Sequence, residues 1–319
     1  MKPIIDMHTH TFLSTCCSDE SANAASYIDK AAELGIQVLG ITNHCWDKIV
    51  PGASGFYQPQ DVEWCLKIRD EIPEDKKGVK FYVGVESEYC GLTDTLGMTA
   101  ENAVKFDYIL VPNTHTHMVG FVIDEDPRLK AARAEVERRL RETFPNFSEK
   151  QITRWMDILR RPDARLLADG VDLHFVSNFM CESFVGLLNH PELNKFKDKV
   201  PTFVAHPFNA VGYSETDKDE MMSYVSDEKL ADMFTLMASK GVGYDISVNN
   251  FVRDDKSERA QMFRLVEIAK SCGVKFIFGT DTHSVAGLGN AWKSAVVYKD
   301  AHLTPEDLHP MARDFVDFE

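Results

Sequence analysis

Seven short apolar segments recur along the chain, and each ends at a polar or titratable residue. They are rich in Val, Ile, Phe and Tyr and are mostly continuous rather than alternating, which is typical of parallel strands buried on both faces. The segments are PIIDMH (3–8), IQVLGITNH (36–44), VKFYVGVE (79–86), FDYILVPNTH (106–115), PTFVAH (201–206), VGYDIS (242–247) and VKFIFGTD (274–281). Because parallel strands need long crossover connections, usually helices, this pattern predicts an α/β fold.

Amphipathic helical patterns separate these segments, with apolar residues at three- and four-residue spacing. Several of the helices end at a glycine in the position of a C-cap, and a β-branched residue follows at once, as at Gly35, Gly241 and Gly273. The clearest helical patterns cover residues 21–35, 59–72, 226–241 and 256–273. A strand–helix unit repeated seven times predicts a β/α barrel.

The region between the fourth and fifth segments departs from this alternation. It contains three further helical patterns, at 128–144, 149–161 and 179–190. We therefore expect one domain over residues 1–319, with a helical insertion over 118–198 after the fourth strand. Loops at the carboxyl ends of barrel strands form the active-site face, so this insertion would cap a substrate. A lid with only structural duties is the alternative.

Charge and cysteine content narrow the function classes. The net charge of −15 opposes binding to nucleic acid phosphates and favours a small-molecule substrate. The seven cysteines are an odd number without a CxxC pair, which predicts reduced thiols. There is no run of eighteen apolar residues, and the N-terminus lacks the pattern of a signal peptide, so we expect no membrane span and a cytoplasmic protein.

Side chains that can bind metal ions stand at the carboxyl ends of six of the seven segments. In the first, DMHTH, strand alternation would place Asp6, His8 and His10 on one face. The other segment ends carry His44, Glu86, His115, His206, Asp281 and His283. A barrel interior is stabilised by branched aliphatic residues, so stability does not require this set. The joint pattern predicts a cluster of metal ions at the rim of the barrel.

The motifs DMHTH, ITNH, GVE, the histidine after DYILVPN, VAHP and FGTDTH follow six segments in that order. Together they resemble the ordered motifs of the PHP family, named for polymerase and histidinol phosphatase. The resemblance extends from Asp6 to about Gly289, with 116–195 as a long interruption. It implies a distorted (β/α)7 TIM-like barrel that holds two to three divalent ions (zinc, manganese or iron) and hydrolyses phosphate esters.

The same resemblance implies how the ligands are shared between ions. His8 and His10 would bind the first ion together with Glu86 and Asp281. Glu86 would bridge to a second ion, whose other ligands would be His115 and His206. The nucleophile would be a metal-bridging hydroxide that attacks phosphorus, formed from a water held by Glu86, His115, His206 and Asp281.

A third ion would bind His44 and His283, and here the chain departs from the family pattern. In the resembling phosphatases a histidine usually stands six residues beyond the second histidine of the first motif, where this chain has Cys16. Cys16 could bind as a thiolate, Asp19 could bind instead, or the third site could be weak. A thiolate would favour zinc over manganese.

Two histidine assignments have competitors. His117 competes with His115 in NTHTHM, but His115 stands nearer the strand end. His190 is also followed by proline, but it follows a helical pattern, so His206 is preferred. We interpret Asp6 as a residue that orients a ligating imidazole and not as a ligand.

Residues near the rim would recognise the substrate. Arg160, Arg161 and Arg253 could pair with an anionic group, although a surface or structural role is the preferred interpretation of each. Asn249 could form a hydrogen bond to the substrate, and His174 could face the substrate or have an internal partner. The aromatic side chains that could form the pocket wall are Trp46, Phe56 and Tyr57.

We therefore expect a metal-dependent phosphatase that acts on a phosphate monoester of a small metabolite, with histidinol phosphate as the substrate named by the resemblance. The alternative is a PHP-type phosphodiesterase or nuclease acting on nucleotide or oligonucleotide ends, which the acidic charge disfavours. An amidohydrolase-type barrel also begins with HxH, but it usually has a lysine at the end of the fourth strand, and FDYILVPNTH has none. A non-catalytic metal-binding module is disfavoured by the full ligand set.

Overall fold

The structure, a computed structural model, describes residues 4–124, 127–160, 173–252, 259–316 and 318. Its strands are β1 (Ile5–Asp6), β2 (Val38–His44), β3 (Lys80–Glu86), β4 (Tyr89–Cys90), β5 (Thr95–Leu96), β6 (Tyr108–Val111), β7 (Thr202–Ala205), β8 (Gly243–Ser247) and β9 (Phe276–Gly279). Its α-helices are α1 (Ala24–Leu34), α2 (Val62–Leu66), α3 (Ala100–Ala103), α4 (Pro127–Thr143), α5 (Glu149–Arg160), α6 (Leu173–Asn189), α7 (Pro191–Phe196), α8 (Glu215–Ser223), α9 (Asp227–Ser239), α10 (Ala260–Ser271), α11 (Lys293–Asp300) and α12 (Pro310–Arg313). Short 3-10 helices cover Lys67–Glu71, Val248–Asn250, Ala286–Asn290 and Pro305–Asp307.

Seven strands form one parallel sheet in the order β1-β2-β3-β6-β7-β8-β9, and β4 and β5 form a separate antiparallel hairpin. The first and last strands of the sheet lie side by side. The amide of Met7 donates to the carbonyl of Phe278 at 2.7 Å, and the amide of His10 donates to that of Thr282 at 2.8 Å. These bonds bring the sheet close to a closed barrel, so the predicted α/β TIM-like barrel of seven strands is confirmed.

The barrel interior is filled around Tyr108. Its hydroxyl donates to the carbonyl of Met7 at 2.6 Å, across the barrel from β6. Gly84 on the neighbouring strand leaves the space for the ring, because a Cβ at that position would lie 2.7 Å from the Tyr108 ring. Burial of this tyrosine therefore depends on a glycine in β3 and fixes the chain just before His8.

The predicted helical patterns correspond to α1, α9 and α10 and to α2 with the 3-10 helix that follows it. Gly35, Gly241 and Gly273 have φ angles of 71°, 67° and 84°, so each takes the left-handed conformation predicted for a helix end. Asn23 begins α1 by accepting a hydrogen bond from the amide of Ser26 at 2.9 Å. These ends return the chain to the next strand.

Four helices, α4 to α7, follow β6 in the described part of the region predicted as an insertion. The predicted helices at 128–144 and 149–161 correspond to α4 and α5, and α6 begins earlier than the predicted 179. On α4 the charged side chains form exposed ion pairs along the helix, such as Arg138 with Glu135 and Glu142. By contrast, α6 buries Met180, Phe184 and Leu187 and contacts α7, α8 and α9. No helix in the described ranges is long and apolar enough to cross a bilayer.

Candidate metal centre

The carboxyl ends of the parallel strands bring the predicted ligands to one rim. His8 and His10 directly follow β1, His44 ends β2 and Glu86 ends β3, and His44 and Glu86 are paired in the sheet register. The remaining predicted ligands follow β6, β7 and β9, and they are His115, His206, Asp281 and His283. A cavity of about 500 Å³ opens at this rim. Five of the predicted ligands line this cavity, namely His44, Glu86, His115, Asp281 and His283. The buried His8, His10 and His206 do not line it but contact Glu86.

The first group consists of His8, His10, Glu86 and Asp281. The Nε2 atoms of His8 and His10 lie 3.6 and 3.1 Å from Oδ1 of Asp281, and 3.5 and 3.4 Å from Oε2 of Glu86. Donor atoms placed tetrahedrally about 2.05 Å from an ion would be separated by about 3.3 Å. The four observed separations are close to this value, so His8 and His10 each present Nε2 to both carboxylates at a spacing that a metal ion can bridge.

The second oxygen of Glu86 faces a different pair of imidazoles. Oε1 lies 3.2 Å from Nε2 of His206 and 3.9 Å from Nε2 of His115. One carboxylate therefore addresses two histidine groups through its two oxygens, as a bridging ligand does. Gly279 allows His8 to approach, because a Cβ on this glycine would lie 2.1 Å from the Cβ of His8.

The third group contains His10, Cys16, His44 and His283, which each offer a donor atom within 4.8 Å of the others. Asp19 is not part of this group. Its carboxylate accepts from the amide and hydroxyl of Ser21 and from the amide of Val285 at 3.0 Å. The structure thus brings the cysteine, and not the aspartate, of this loop next to the histidines.

The ring nitrogens away from the centre have partners that orient the imidazoles. Nδ1 of His8 donates to Asp245 at 2.7 Å, and Nδ1 of His115 donates to Glu88 at 2.5 Å. Nδ1 of His283 donates to the carbonyl of Asp281 at 3.0 Å. Each of these bonds fixes a hydrogen on Nδ1 and leaves the Nε2 lone pair for a metal ion.

His10 is oriented by Ser14 in the same way. The Ser14 hydroxyl donates to Asn43 at 3.0 Å, so its oxygen accepts from Nδ1 of His10 at 3.3 Å. Nδ1 of His206 contacts the hydroxyl of Thr114 at 2.8 Å. Five imidazoles are therefore held through Nδ1, with Nε2 available toward the centre.

Sequence reasoning did not identify Glu88 and Asp245. Both are completely buried, and Glu88 also accepts from the hydroxyl of Tyr57 at 2.9 Å. Asp245 interrupts an otherwise apolar strand, and a buried charge in such a strand needs a partner. That pattern in GYDIS was the available signal. We predicted that Asp6 orients an imidazole, but the residue that contacts the ring of His8 is Asp245. The Asp6 carboxylate accepts from the amide and hydroxyl of Thr280 at 2.9 and 2.7 Å and from the backbone amide of His8 at 3.4 Å.

Burial and charge shift the pKa values around the first group. Burial alone would lower the pKa of His8, but Glu86, Asp245 and Asp281 raise it well above its usual value. Burial would raise the pKa of Glu86, yet His8 and other imidazoles hold it well below its usual range. Without metal, His8 therefore carries a proton that an ion would displace.

Three further histidines differ in the direction of their pKa shifts. Burial opposes the charge of His115, but Glu88 raises its pKa to about 9. Burial lowers the pKa of His10 to about 4 and that of His44 well below its usual value. His10 and His44 are consequently neutral near pH 7, which is the state that binds metal.

Two of the predicted ligands have unusual backbone conformations. His206 and Asp281 have φ angles of 33° and 55°, which place both in the left-handed region that non-glycine residues rarely occupy. Such conformations occur at functional sites where the surrounding structure holds them. Among the competing histidines, His117 lines the cavity, whereas His190 begins α7 by accepting from the amide of Glu192.

Apolar side chains form part of the cavity wall. Phe56, Met118, Phe121 and Val211 line the cavity together with His117. Trp46 and Tyr57 pack behind Phe121, with ring centroids 5.5 and 5.9 Å from it. The aromatic residues that follow β2 thus contribute to the wall, Phe56 directly and the other two from behind.

The residues predicted to contact the substrate lie in different environments. Asn249 donates to the carbonyl of Thr280 at 2.7 Å and accepts from Lys293 at 3.1 Å, so both ends of its amide have internal partners. The exposed ring of His174 stacks on Tyr224, with centroids 3.5 Å apart. Arg161 and Arg253 lie outside the described residues, as does the side chain of Arg160.

Comparison with solved structures supports the fold. The chain resembles the histidinol phosphate phosphatase of Lactococcus lactis, solved with zinc, L-histidinol and phosphate, at a TM-score of 0.54 and 14% identity over 94% of each chain. A structure from Listeria monocytogenes that is assigned as a histidinol phosphatase aligns with a TM-score of 0.46 and 13% identity, over 91% of this chain and 99% of that one. No family model and no curated protein matches the sequence.

Proposed function

We propose that this chain is a metal-dependent phosphatase that hydrolyses a phosphate monoester of a small metabolite. The observation that carries the proposal is the approach of Nε2 of His8 and of His10 to both Glu86 and Asp281, with separations of 3.1 to 3.6 Å. Nε2 of His8 and of His10 are buried without a hydrogen-bond partner in the part of the chain that the structure describes. A divalent ion would satisfy both atoms and compensate the two carboxylates.

We assign the first ion to those four residues and the second to Glu86, His115 and His206. Imidazole and carboxylate donors suit zinc, manganese and iron. The fold shared with a phosphatase that was solved with zinc and phosphate is consistent with this assignment. When bound, the ions would supply Lewis acidity that activates a water as nucleophile and neutralises the phosphate oxygens.

The protein's own residues hold and shape this centre. Glu86 presents one oxygen to each histidine group, so the two ions would be held next to each other. Glu88 fixes the ring of His115 and is itself held by the hydroxyl of Tyr57. These buried contacts would keep the imidazole of His115 oriented toward the cavity.

The cavity supports a small substrate. Its volume of about 500 Å³ is in the range of sites for metabolites. The apolar wall of Phe56, Met118 and Phe121 would contact the leaving group and exclude water around it. By analogy with the Lactococcus lactis structure, which holds L-histidinol, we propose an alcohol of that size as the leaving group.

We further propose that the helical insertion at 118–198 covers the substrate. Met118 and Phe121, at its beginning, already line the cavity. The aromatic cluster with Trp46 and Tyr57 joins this segment to the loop after β2. The first residues of the insertion would therefore act as part of the binding site, while α4 presents exposed ion pairs.

The test measures metal content per chain together with phosphate release from p-nitrophenyl phosphate and histidinol phosphate. We expect two to three divalent ions per chain, and turnover that a chelator abolishes and that added zinc, manganese or iron restores. Glu86→Gln should lose both metal and activity. Its matched control is Glu63→Gln, because Glu63 is exposed and pairs only with Lys48 among the described residues.

Two outcomes would overturn the proposal. Bound metal without hydrolysis of any phosphate ester would indicate a binding module. Faster release of nucleotides from oligonucleotide ends than of phosphate from monoesters would support the phosphodiesterase alternative.

A further inference from the structure

We infer that Cys16 binds a metal ion as a thiolate together with His44 and His283, and that this ligand makes the position selective for zinc. The inference rests on the proposed metal centre but not on the phosphatase reaction. It concerns a position where this chain has a cysteine in the loop after the first two histidines.

The three side chains face the same cavity. Cys16, His44 and His283 all line it, whereas the fully buried His10 does not. Their donor atoms lie within 4.8 Å of one another, a spacing that one ion can bridge with a small closing movement. The residues come from three separate rim segments, so local chain geometry does not account for their convergence.

An unsatisfied histidine nitrogen points to a ligand at this position. His44 is only 6% exposed, and its Nδ1 has no hydrogen-bond partner among the described residues. Oε2 of Glu86 lies 3.1 Å from this nitrogen but does not form a hydrogen bond with it. A buried nitrogen that is left without a partner is costly unless a ligand occupies its lone pair.

His10 belongs to the first ion and not to this one. Its Nε2 lies within reach of both groups but can bind only one ion. The atom is 3.1 Å from Oδ1 of Asp281 and 3.4 Å from Oε2 of Glu86, which are the edges of the first site. Cys16, His44 and His283 then form a three-ligand site with an open position toward the cavity.

The loop that carries Cys16 is held in place before any ion binds. The hydroxyl of Ser14 donates to Asn43 at 3.0 Å, and the amide of Thr15 donates to Gln60 at 2.9 Å. The thiol of Cys17 instead contacts the carbonyl of His283 at 3.0 Å. The two neighbouring cysteines therefore have different surroundings, and only Cys16 joins the group of metal-competent donors.

A thiolate changes which ion this position prefers. Soft sulfur donors favour zinc over the harder manganese ion, while sites of imidazole and carboxylate accept both. The first and second groups contain no cysteine among the described residues. The position at Cys16 would then retain zinc even under conditions in which the other two positions exchange their ions for manganese.

The test is the absorption spectrum of the cobalt-substituted protein, since a thiolate bound to cobalt(II) gives a near-ultraviolet charge-transfer band. We expect the band in the natural protein and in Cys17→Ser, the matched control, and expect it to vanish in Cys16→Ser. Cys16→His should bind as many metal ions per chain as the natural protein but should not show the band. It should also lower the preference for zinc over manganese by about tenfold or more.

The outcomes separate this inference from the proposed function. A band that persists in Cys16→Ser, or no band in the natural protein, would overturn the thiolate site whatever the enzyme hydrolyses. A band that depends on Cys16 in a protein that hydrolyses no phosphate ester would support the thiolate site and overturn the phosphatase.

Discussion

Asp245 lies 2.7 Å from Nδ1 of His8, and both side chains are completely buried. The contact joins the middle of β8 to the segment that follows β1, so a carboxylate from a distant strand orients a proposed ligand. Partners of this kind typically contribute 10- to 100-fold to metal affinity, because they fix the ring and raise the basicity of the ligating nitrogen.

Asp245→Asn should therefore weaken metal binding by about 10- to 100-fold while the protein still folds, since the amide is close in size to the carboxylate. Competition against a chelator of known affinity measures the change. Asp198→Asn is the control, because Asp198 is exposed and pairs with its neighbour Lys197. Equal affinities for the two variants would contradict the orienting role of Asp245.

Metal ions should also stabilise the fold. Free metal at a thousandfold excess over the dissociation constant should add about 4 kcal/mol per site to the free energy of unfolding. For a chain of this length we expect the melting temperature to rise by about 5 °C or more on adding metal to chelator-treated protein. Differential scanning calorimetry measures this rise. Glu86→Gln should show little metal dependence, and an equal rise in that variant would argue against the site.

Tyr108→Phe should cost about 1–3 kcal/mol of stability, because the carbonyl of Met7 loses its buried donor. Denaturation in urea measures the loss. Tyr82→Phe is the matched control, since its hydroxyl donates to the carbonyl of Met311 at 3.1 Å from a half-buried position. We expect about 0.5–1 kcal/mol there. If both variants lose a similar free energy of unfolding, the hydrogen bond of Tyr108 across the barrel contributes no more to stability than the half-buried bond of Tyr82.

His309 should make stability depend on pH. Its Nδ1 accepts from the amide of Met311 at 3.2 Å and its ring packs on Phe203, so the folded state favours the neutral ring. Burial, with the nearby charge of Arg313, lowers its pKa to about 4. The unfolded chain binds the proton more readily, so this contribution is complete above about pH 6.5 and is lost as the pH falls toward 4.

The comparison is between the natural protein and His309→Asn, both free of metal, by urea denaturation from pH 7 to 4. Asparagine can keep the helix cap but does not titrate. We expect the stability difference between the two proteins to change in favour of the variant as the pH falls through this range. A constant difference would show that His309 does not titrate on unfolding.

The sequence alone determined the barrel and most of the proposed ligand set. Buried apolar segments separated by amphipathic helices can satisfy their backbone hydrogen bonds only as a parallel sheet covered by helices. The carboxyl ends of such strands share one rim, so residues at segment ends, such as His44, Glu86 and His206, had to converge. Their ligation of metal is still a prediction, because it depends on an ion.

Only the tertiary structure decided which side chains share each group and what orients them. Glu88 and Asp245 are identified by their contacts of 2.5 and 2.7 Å with His115 and His8. Spacing along the chain does not indicate which carboxylate will contact which histidine. The left-handed backbone of Asp281 and the turn that directs Cys16, and not Asp19, toward His283 are likewise products of packing. Periodicity in the sequence fixes the face on which a residue lies. The position of a side chain to within a few tenths of an ångström is set only when segments distant in sequence pack together.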